Sequence, residues 1–260
     1  VNTYHLMLRP GAKHIAQNKG VHTFMQWPRP ILSDSGGDQV YSLIHKHGRG
    51  AVTEEGVLFR SPLDGSKHML TPERSIEIQC DLGVDMMVGL DDPRPNDASE
   101  ADIARAVERS LRWTQRSKEA FERECRRRNW QEGARPLFFG VVQGGTHHEL
   151  RRRSAEVLRS LNCDGYGFGA RHVDENGDFL EDVLAYTADL LPQDKPRFAL
   201  GVGTPEDIRR AYALGWDMFD CVIPTREGRH GRFFIFSDGV SPIGSHHWYD
   251  AISITKEVFS

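Results

Sequence analysis

The segment TPERSIEIQCDLGVDMMVGL, residues 71–90, contains one complete helix-to-strand unit. Thr71-Pro72-Glu73 is typical of a helix start, because threonine is a favoured N-cap residue and proline fits the first helical position. Gly83 is typical of a helix stop, since glycine accepts the left-handed backbone that closes many helices. The apolar run at residues 86–90 follows at once and predicts a buried strand. The segment therefore predicts a helix that leads directly into a strand.

The same signals recur along the chain. Leu214-Gly215-Trp216-Asp217-Met218 repeats the glycine stop and the strand entry, while Ser99 and Thr204 each begin a capping-box spacing. Short apolar runs that predict strands lie at residues 31–33, 86–90, 137–142, 165–168, 198–202 and 218–223. Because helical patterns separate these runs, the sequence predicts a parallel sheet with right-handed crossovers.

An acid, an amide or a glycine stands at or near the end of each predicted strand. These residues are Asp34, Asp91, Gln143, Gly169, Gly203 and Asp220. In a β/α barrel the carboxyl ends of all strands converge on one mouth, whereas an open sheet spreads several of them beyond the reach of one ligand. We therefore predict an α/β fold of the (β/α)8 TIM-barrel type, formed by a single domain over residues 1–260. The six strand candidates are fewer than the eight of a closed barrel, so we expect an incomplete barrel.

Composition excludes several classes of protein. Apolar residues make up 38% of the chain and charged residues 27%, which is the profile of a globular protein. No apolar run approaches the roughly 20 residues that span a bilayer, and the first residues, VNTYHLMLRPG, do not resemble a secretory signal. We expect a cytoplasmic protein that does not enter a membrane.

The sequence contains no recognisable motif for a metal or a nucleotide cofactor. Its four cysteines are scattered singly, without the spacing of a metal site. The chain contains neither the GxGxxG pattern of dinucleotide-binding folds nor the GxxxxGK[ST] pattern of phosphate-binding loops. We predict no cofactor and no metal ligand in this chain.

Two arginine clusters are candidates for contact with a polyanion, although the net charge is only −4. Arg105, Arg109, Arg112 and Arg116 share one helix face, which is more often a solvated surface than a phosphate site. A second cluster comprises Arg226, Arg229, His230 and Arg232. The crowding of basic side chains in one loop favours contact between the second cluster and nucleic-acid phosphates.

Three strand-end carboxylates suggest glycosyl chemistry. Asp34, Asp91 and Asp220 fit three parts of one site: a nucleophile, an acid/base, and an acceptor for donor groups on a flat ligand. An aspartate, Gln143 and backbone N–H groups together suit the hydrogen-bonding edges of a planar heterocycle. Taken singly, each aspartate is better explained as a helix cap or a loop ion pair. Their occurrence together favours a catalytic site.

Seven motifs, in family order across nearly the whole chain, resemble tRNA-guanine transglycosylase. The motifs are NTYHLMLRPG (2–11), LSDSGG (32–37) followed by Gln39-Val40, SPLDGS (61–66), LTPERSIEIQ (70–79), VQG (142–144), LGVG (200–203), and DMFDCV (217–222) followed by PTR (224–226). The chain is identified as a member of this family, which is also called queuine tRNA-ribosyltransferase.

The resemblance implies a base-exchange reaction on tRNA. Guanine at the anticodon wobble position would be replaced by a 7-deazaguanine, preQ1 or queuine, through a covalent intermediate between aspartate and ribose. Asp220 would be the nucleophile and Asp34 the acid/base. The target base must leave its stack to reach a barrel mouth, so a flipped-out loop nucleotide is the expected substrate.

The resemblance also implies the residues that bind the base and the tRNA. Asp91 would accept hydrogen bonds from the N1 and amino edge of the base. The carbonyl edge would meet Gln143 and the backbone at Gly169 and Ala170, with Ser35 and Leu200 beside them. Arg226 and Arg229 would hold tRNA phosphates.

The base site departs from the family pattern at three places. Asp38 stands where the family has an aromatic residue that stacks on the base, a contact worth about 1–3 kcal/mol per base. Gly169-Ala170-Arg171 replaces Gly-Gly-Leu, and Asp92-Pro93-Arg94 is also unusual. Two alternatives therefore stay open: a related transglycosylase that acts on another base or nucleic acid, and a non-catalytic tRNA-binding subunit.

The resemblance further implies a homodimer and a C-terminal zinc site bound by cysteine and histidine. No cysteine follows Cys221, so we expect that zinc site to be absent from this chain. Family sequence also precedes the NTYH motif, which agrees with the low strand count. The expectation is a barrel that is incomplete at both ends.

Overall fold

The computed structural model describes residues 1–47, 50–237 and 248–254. The helices in these ranges are α1 (Thr3–Leu8), α2 (Ala12–Gln17), α3 (Gly20–Met25), α4 (Gly37–His47), α5 (Pro72–Leu82), α6 (Glu100–Arg127), α7 (His148–Ser160), α8 (Glu181–Asp189), α9 (Pro205–Ala213) and α10 (Ile223–Arg229). The strands are β1 (Leu32–Ser33), β2 (Gly50–Val52), β3 (Val57–Arg60), β4 (Lys67–Leu70), β5 (Met86–Val88), β6 (Leu137–Val142), β7 (Gly165–Phe168), β8 (Arg197–Ala199), β9 (Met218–Phe219), β10 (Arg232–Phe236) and β11 (Tyr249–Ser253).

The principal sheet is parallel and has the strand order β1-β5-β6-β7-β8-β9. The spatial order follows the chain order without a reversal, whereas a doubly wound open sheet reverses at a switch point. The sheet curls into half a barrel, with a helix after almost every strand. This arc confirms the predicted fold class, and all six predicted strands belong to it.

The helix signals in the sequence act as predicted. The side-chain oxygens of Thr71, Ser99 and Thr204 each accept a hydrogen bond from the backbone N–H three residues later. Gly83 ends α5 with φ 72°, and Gly215 has φ 94° between α9 and β9. These positive φ angles are the left-handed conformation that favours glycine. Each crossover is therefore delimited by local chemistry.

The core has two layers because successive side chains of β6 point to opposite faces of the sheet. Phe138 and Val142 belong to the large outer cluster between sheet and helices. Phe139 and Val141 point the other way, into a smaller cluster within the arc. The packing fixes the sheet against its helices and leaves the strand ends to form the site.

Two parts of the structure were missed by the sequence patterns. Strands β2, β3 and β4 form an antiparallel sheet between α4 and α5, for which no prediction was made. The apolar run Phe233-Phe234-Ile235-Phe236 predicts a further strand, which is confirmed as β10; the turn at Asp238-Gly239 and the short strand at Val240, which the same pattern predicts, lie outside the described residues. The described partner of β10 is β11, in a segment without a recognisable motif.

Among the described helices, none has the length and apolar character needed to cross a membrane.

Candidate active site

The predicted site residues lie along the carboxyl edge of the parallel sheet. Asp34 comes directly after β1, Gln143 after β6, Gly169 after β7 and Asp220 after β9. Asp91 follows β5 after a two-residue extension. Parallel pairing in register places all of these strand ends at one edge, as a barrel mouth requires.

Asp91, Gln143 and Gly169 lie together at the ends of three neighbouring strands, with a hydrogen bond between the first two and a close packing contact from the third. The amide nitrogen Nε2 of Gln143 donates to Oδ2 of Asp91 at 2.6 Å. A Cβ atom on Gly169 would lie 2.4 Å from that Nε2, so only glycine leaves room for the amide. The pKa of Asp91 is raised to about 7, chiefly by burial; the bond from Gln143 lowers it, and the charges of Asp34 and Asp38 add a smaller increase.

Asp34 is held by the segment that precedes α1. Oδ2 of Asp34 accepts hydrogen bonds from Asn2 Nδ2 at 2.8 Å and from the Gly36 N–H at 3.1 Å. Asn2 also donates to Gln39 Oε1 at 2.8 Å, so the orientation of its amide is defined. Burial raises the pKa of Asp34 to about 6, with a smaller increase from the charge of Asp220. A carboxyl group with this pKa can both give and take a proton near neutral pH.

Asp220 is exposed, in contrast to Asp34 and Asp91. Its Oδ1 accepts a hydrogen bond of 2.9 Å from the Gly201 N–H, in the loop after the neighbouring strand β8. No described residue donates a hydrogen bond to its Oδ2. The carboxylate is thus oriented through one oxygen, while the other faces no protein donor in the described structure.

The backbone groups of Gly169 and Ala170 differ in whether the protein already engages them. The Gly169 N–H donates to Val142 O at 2.9 Å, and the Gly169 carbonyl accepts from Arg151 at 3.0 Å. No acceptor within the described ranges takes the Ala170 N–H. Ala170 has φ 79°, a conformation that costs a residue with a side chain more than it costs glycine. Of the two predicted backbone positions, only Ala170 therefore has a donor that is not already engaged.

Ser35 and Leu200 lie beside these groups but are occupied by protein contacts. Ser35 is buried, and its Oγ accepts from the Gly37 N–H at 3.3 Å. Leu200 packs on the inner cluster of the arc, where its Cδ1 lies against the backbone of Gly167. Both residues support the edge of the site through packing.

The two arginine clusters differ in how completely they are ion-paired. Arg226 and Arg229 are exposed on α10, directly after the Asp220 segment, where a helix replaces the predicted loop. Nε of Arg226 lies 3.7 Å from Oε1 of Glu227, a carboxylate that also pairs with Arg232. The arginines of the other cluster lie on α6 and pair with carboxylates of the chain itself: Arg105 with Asp102, Arg109 with Asp92, Arg112 with Glu54 and Arg116 with Glu73. The arginine face of α6 is therefore an ion-paired surface, which agrees with the expectation that such a face is more often a solvated surface than a phosphate site.

Three of the residues that depart from the family pattern, Asp38, Asp92 and Arg94, lie in α4 and in the loop after β5. Asp38 is exposed in the first turn of α4. Asp92 is buried, and it is neutralised by Arg94 and Arg109 at 2.5 Å each. The guanidinium of Arg94 also lies 5.2 Å from the centre of the Tyr41 ring, which connects the loop after β5 to α4.

Sequence reasoning assigned no role to Asn2, Gln39 or Arg151. Asn2 and Arg151 contact residues of the site, and Gln39 accepts a hydrogen bond from Asn2. The signal for Asn2 was its place in the NTYH motif, but its contact with Asp34 depends on a backbone bridge between residues 32 positions apart. Arg151 is the first of three successive arginines, a run that is typical of a solvated helix face. It is instead completely buried.

Within the ranges that the structure describes, no group of three or more His, Cys, Asp or Glu side chains is placed to hold a metal ion. Cys80 and Cys163 are separate buried thiols, and burial raises the pKa of each to about 12. These residues do not fit the zinc site that the resemblance implies.

The fold and the site define a class of protein: a β/α-barrel protein with an acidic, amide-bearing site at the carboxyl ends of its parallel strands. A family model described as queuine tRNA-ribosyltransferase matches residues 1–258, and the chain belongs to this family.

Curated relatives support this assignment. A queuine tRNA-ribosyltransferase of Zymomonas mobilis subsp. mobilis is 46% identical over 255 residues, which cover 94% of this chain and 64% of the relative. One of Caulobacter vibrioides is 50% identical over 234 residues, 89% of this chain and 59% of the relative. One of Halothermothrix orenii is 44% identical over 233 residues, with 90% and 59% coverage. The chain thus spans about three fifths of the length of these relatives.

Proposed function

We propose that the protein exchanges guanine at the wobble position of tRNA for a 7-deazaguanine, through a covalent bond between Asp220 and ribose. The observation that carries this proposal is the pairing of two different carboxyl groups at one sheet edge. Asp220 is exposed and oriented by Gly201, while Asp34 is half-buried with a pKa of about 6. Retaining glycosyl transfer requires such a nucleophile and such an acid/base.

The two carboxyl groups divide the chemistry between them. An oxygen of Asp220 attacks C1′ of the nucleotide, the bond from C1′ to guanine breaks, and the electron pair leaves with the base nitrogen. Asp34 supplies the proton that neutralises the departing guanine. It then takes the corresponding proton from the incoming base, whose nitrogen attacks C1′ and displaces Asp220. At the end of the cycle Asp34 again carries its proton and Asp220 is again a free carboxylate.

The base is recognised by the unit of Asp91, Gln143 and the Ala170 N–H. The N1 and amino edge of guanine carries donors that match the oxygens of Asp91, and the carbonyl edge carries an acceptor that matches the amide of Gln143 and the Ala170 N–H. The bond of 2.6 Å between Gln143 and Asp91 holds the two sides of this frame together.

Contacts with tRNA phosphates are assigned to Arg226 and Arg229, because both are exposed on the helix that begins just after Asp220. A homodimer is part of the same proposal and rests on the resemblance alone.

A different incoming base is a second candidate, favoured by one observation. The exposed carboxylate of Asp38 lies in the first turn of α4, next to the Gly37 backbone that packs on Asp91. A negative charge at this rim favours an incoming base with a cationic substituent over a neutral incoming base.

The decisive experiment measures the incorporation of radiolabelled guanine into unmodified tRNA with a GUN anticodon. The parent protein is compared with Asp220→Asn and with Asp189→Asn, an exposed aspartate at the end of α8 that serves as the matched control. We expect incorporation by the parent and the control, and none by Asp220→Asn. A folded parent that binds this tRNA without exchange would instead support the altered-base or non-catalytic alternatives.

A further inference from the structure

Arg151 is a completely buried cation that contacts the base-recognition edge, which is the part of the sheet edge formed by Asp91, Gln143 and the peptide between Gly169 and Ala170. It lies on α7 and donates to three carbonyl oxygens: Nε to Gly145 at 2.7 Å, NH1 to Val142 at 3.4 Å and NH2 to Gly169 at 3.0 Å. Its guanidinium carbon lies 4.1 Å from the centre of the Phe168 ring. No carboxylate in the described ranges pairs with it. A buried charge without a counter-ion is costly, so its carbonyl contacts call for a functional explanation.

The carbonyl of Gly169 and the N–H of Ala170 belong to the same peptide group. In a trans peptide these two groups point in opposite directions. The bond from Arg151 to the carbonyl therefore sets the direction of the Ala170 N–H, which points away from the buried guanidinium. Because Ala170 has φ 79°, this turn is not one that an alanine adopts readily without such support.

Arg151 also acts on Gln143 through Gly169. The Cα of Gly169 lies against the side-chain amide of Gln143. Oγ of Ser154, one turn after Arg151, accepts a hydrogen bond from the backbone N–H of Gln143 at 3.2 Å. Helix α7 thus restrains both donors that would meet the carbonyl edge of the base. The opposite edge, at Asp91, has no direct contact with Arg151.

We propose that Arg151 is a positioning residue that orients the peptide between Gly169 and Ala170 and thereby sets recognition of the carbonyl group of the base. This inference rests on the proposed function. Burial lowers the pKa of Arg151 to about 9, so the side chain remains charged at neutral pH. A cation on the carbonyl polarises the peptide and strengthens its N–H as a donor. Lysine does not reproduce this role, because its three donors share one nitrogen, whereas Arg151 meets three separate carbonyls with three different nitrogens of a planar group.

The test compares the parent with Arg151→Lys and with Arg153→Lys, an exposed arginine on the same helix that pairs with Glu108. Calorimetry gives the Kd for three bases: guanine, 2,6-diaminopurine and hypoxanthine. 2,6-Diaminopurine carries an amino group in place of the carbonyl and has no N1–H; the loss of N1–H affects parent and variant alike, so a change in preference between them reports the carbonyl edge. Hypoxanthine lacks the 2-amino group. We expect Arg151→Lys to lose about tenfold or more of the preference for guanine over 2,6-diaminopurine, the equivalent of one hydrogen bond. The preference over hypoxanthine and the KM for tRNA should stay at the parental values, as should all properties of Arg153→Lys.

Parental discrimination in a folded Arg151→Lys protein would overturn the inference while leaving the proposed function intact. A parent that neither binds nor exchanges guanine would overturn both. A measurement on the parent alone guards against a variant that does not fold. The Ala170 amide, observed with ¹⁵N-alanine and assigned through Ala170→Gly, should shift downfield when guanine binds; an unchanged resonance in saturated protein would also refute the inference.

Discussion

Replacing Gly169 with alanine tests whether the backbone after β7 defines the base-recognition edge. The new Cβ would lie 2.4 Å from Gln143 Nε2 and 2.5 Å from its Cδ, far inside an ordinary contact. Relief of this clash requires the amide to move by about 1 Å, which takes the 2.6 Å bond to Asp91 outside hydrogen-bond range.

Two effects follow from this displacement. Overpacking lowers the free energy of unfolding by about 1–3 kcal/mol. Loss of a hydrogen bond to an ionisable group costs about 1.5–3 kcal/mol, which weakens guanine binding by about 10- to 100-fold. The unfolding free energy is measured in urea and the guanine Kd by calorimetry.

The control is Gly228→Ala, since a Cβ at this position meets no atom within 4 Å. This variant should retain the parental guanine Kd and show no loss of stability. On a Gln143→Ala background, Gly169→Ala should cost less than about 1 kcal/mol, because the group with which it collides is gone. Parental stability and affinity in the single variant Gly169→Ala would refute the predicted clash.

Three further predictions concern the groups around the site. Asp91 keeps its proton in the folded protein up to a pKa of about 7 but loses it near pH 4 in the unfolded chain, so its burial lowers the free energy of unfolding as pH rises between these values. In urea titrations, Asp91→Asn should therefore be more stable than the parent at pH 8 and not at pH 4. Equal gains at both pH values would contradict this. Asp92→Ala leaves Arg94 and Arg109 without their buried partner and should lower the unfolding free energy by about 3–5 kcal/mol, whereas loss of an exposed carboxylate costs less than about 1 kcal/mol. Arg229→Ala should reduce the slope of log Kd for tRNA against log salt by about 0.7–0.9 without changing the guanine Kd, and an unchanged slope would exclude a phosphate contact.

Much of the architecture was predictable because its signals are local. The caps at Thr71, Ser99 and Thr204 require only a side chain and an N–H three residues later, so the sequence identifies each helix start. The glycines at 83 and 215 mark the helix ends in the same way. Regular alternation of helix and strand then implies a parallel sheet with its polar residues at one edge, and the structure has this arrangement.

Of the described antiparallel strands, β10 was predictable from its apolar run, but β2, β3, β4 and β11 were not. Strands β2 to β4 carry few buried side chains, and β11 lies in a segment whose alternation is interrupted by polar residues. Each becomes a strand because a partner supplies its hydrogen bonds, a condition that lies outside its own sequence.

The sequence by itself determined the order of helices and strands and the set of polar residues at the strand ends. Tertiary structure alone decided how these residues are used. Gln143 and Asp91 are 52 positions apart, and their bond depends on the register of β5 against β6. The engagement of both Gly169 groups and the burial of Arg151 depend on how α7 packs against two strand ends. A short-range pattern specifies the conformation of a segment, whereas a contact between distant residues depends on strand register and sheet curvature, which arise only when the whole chain packs.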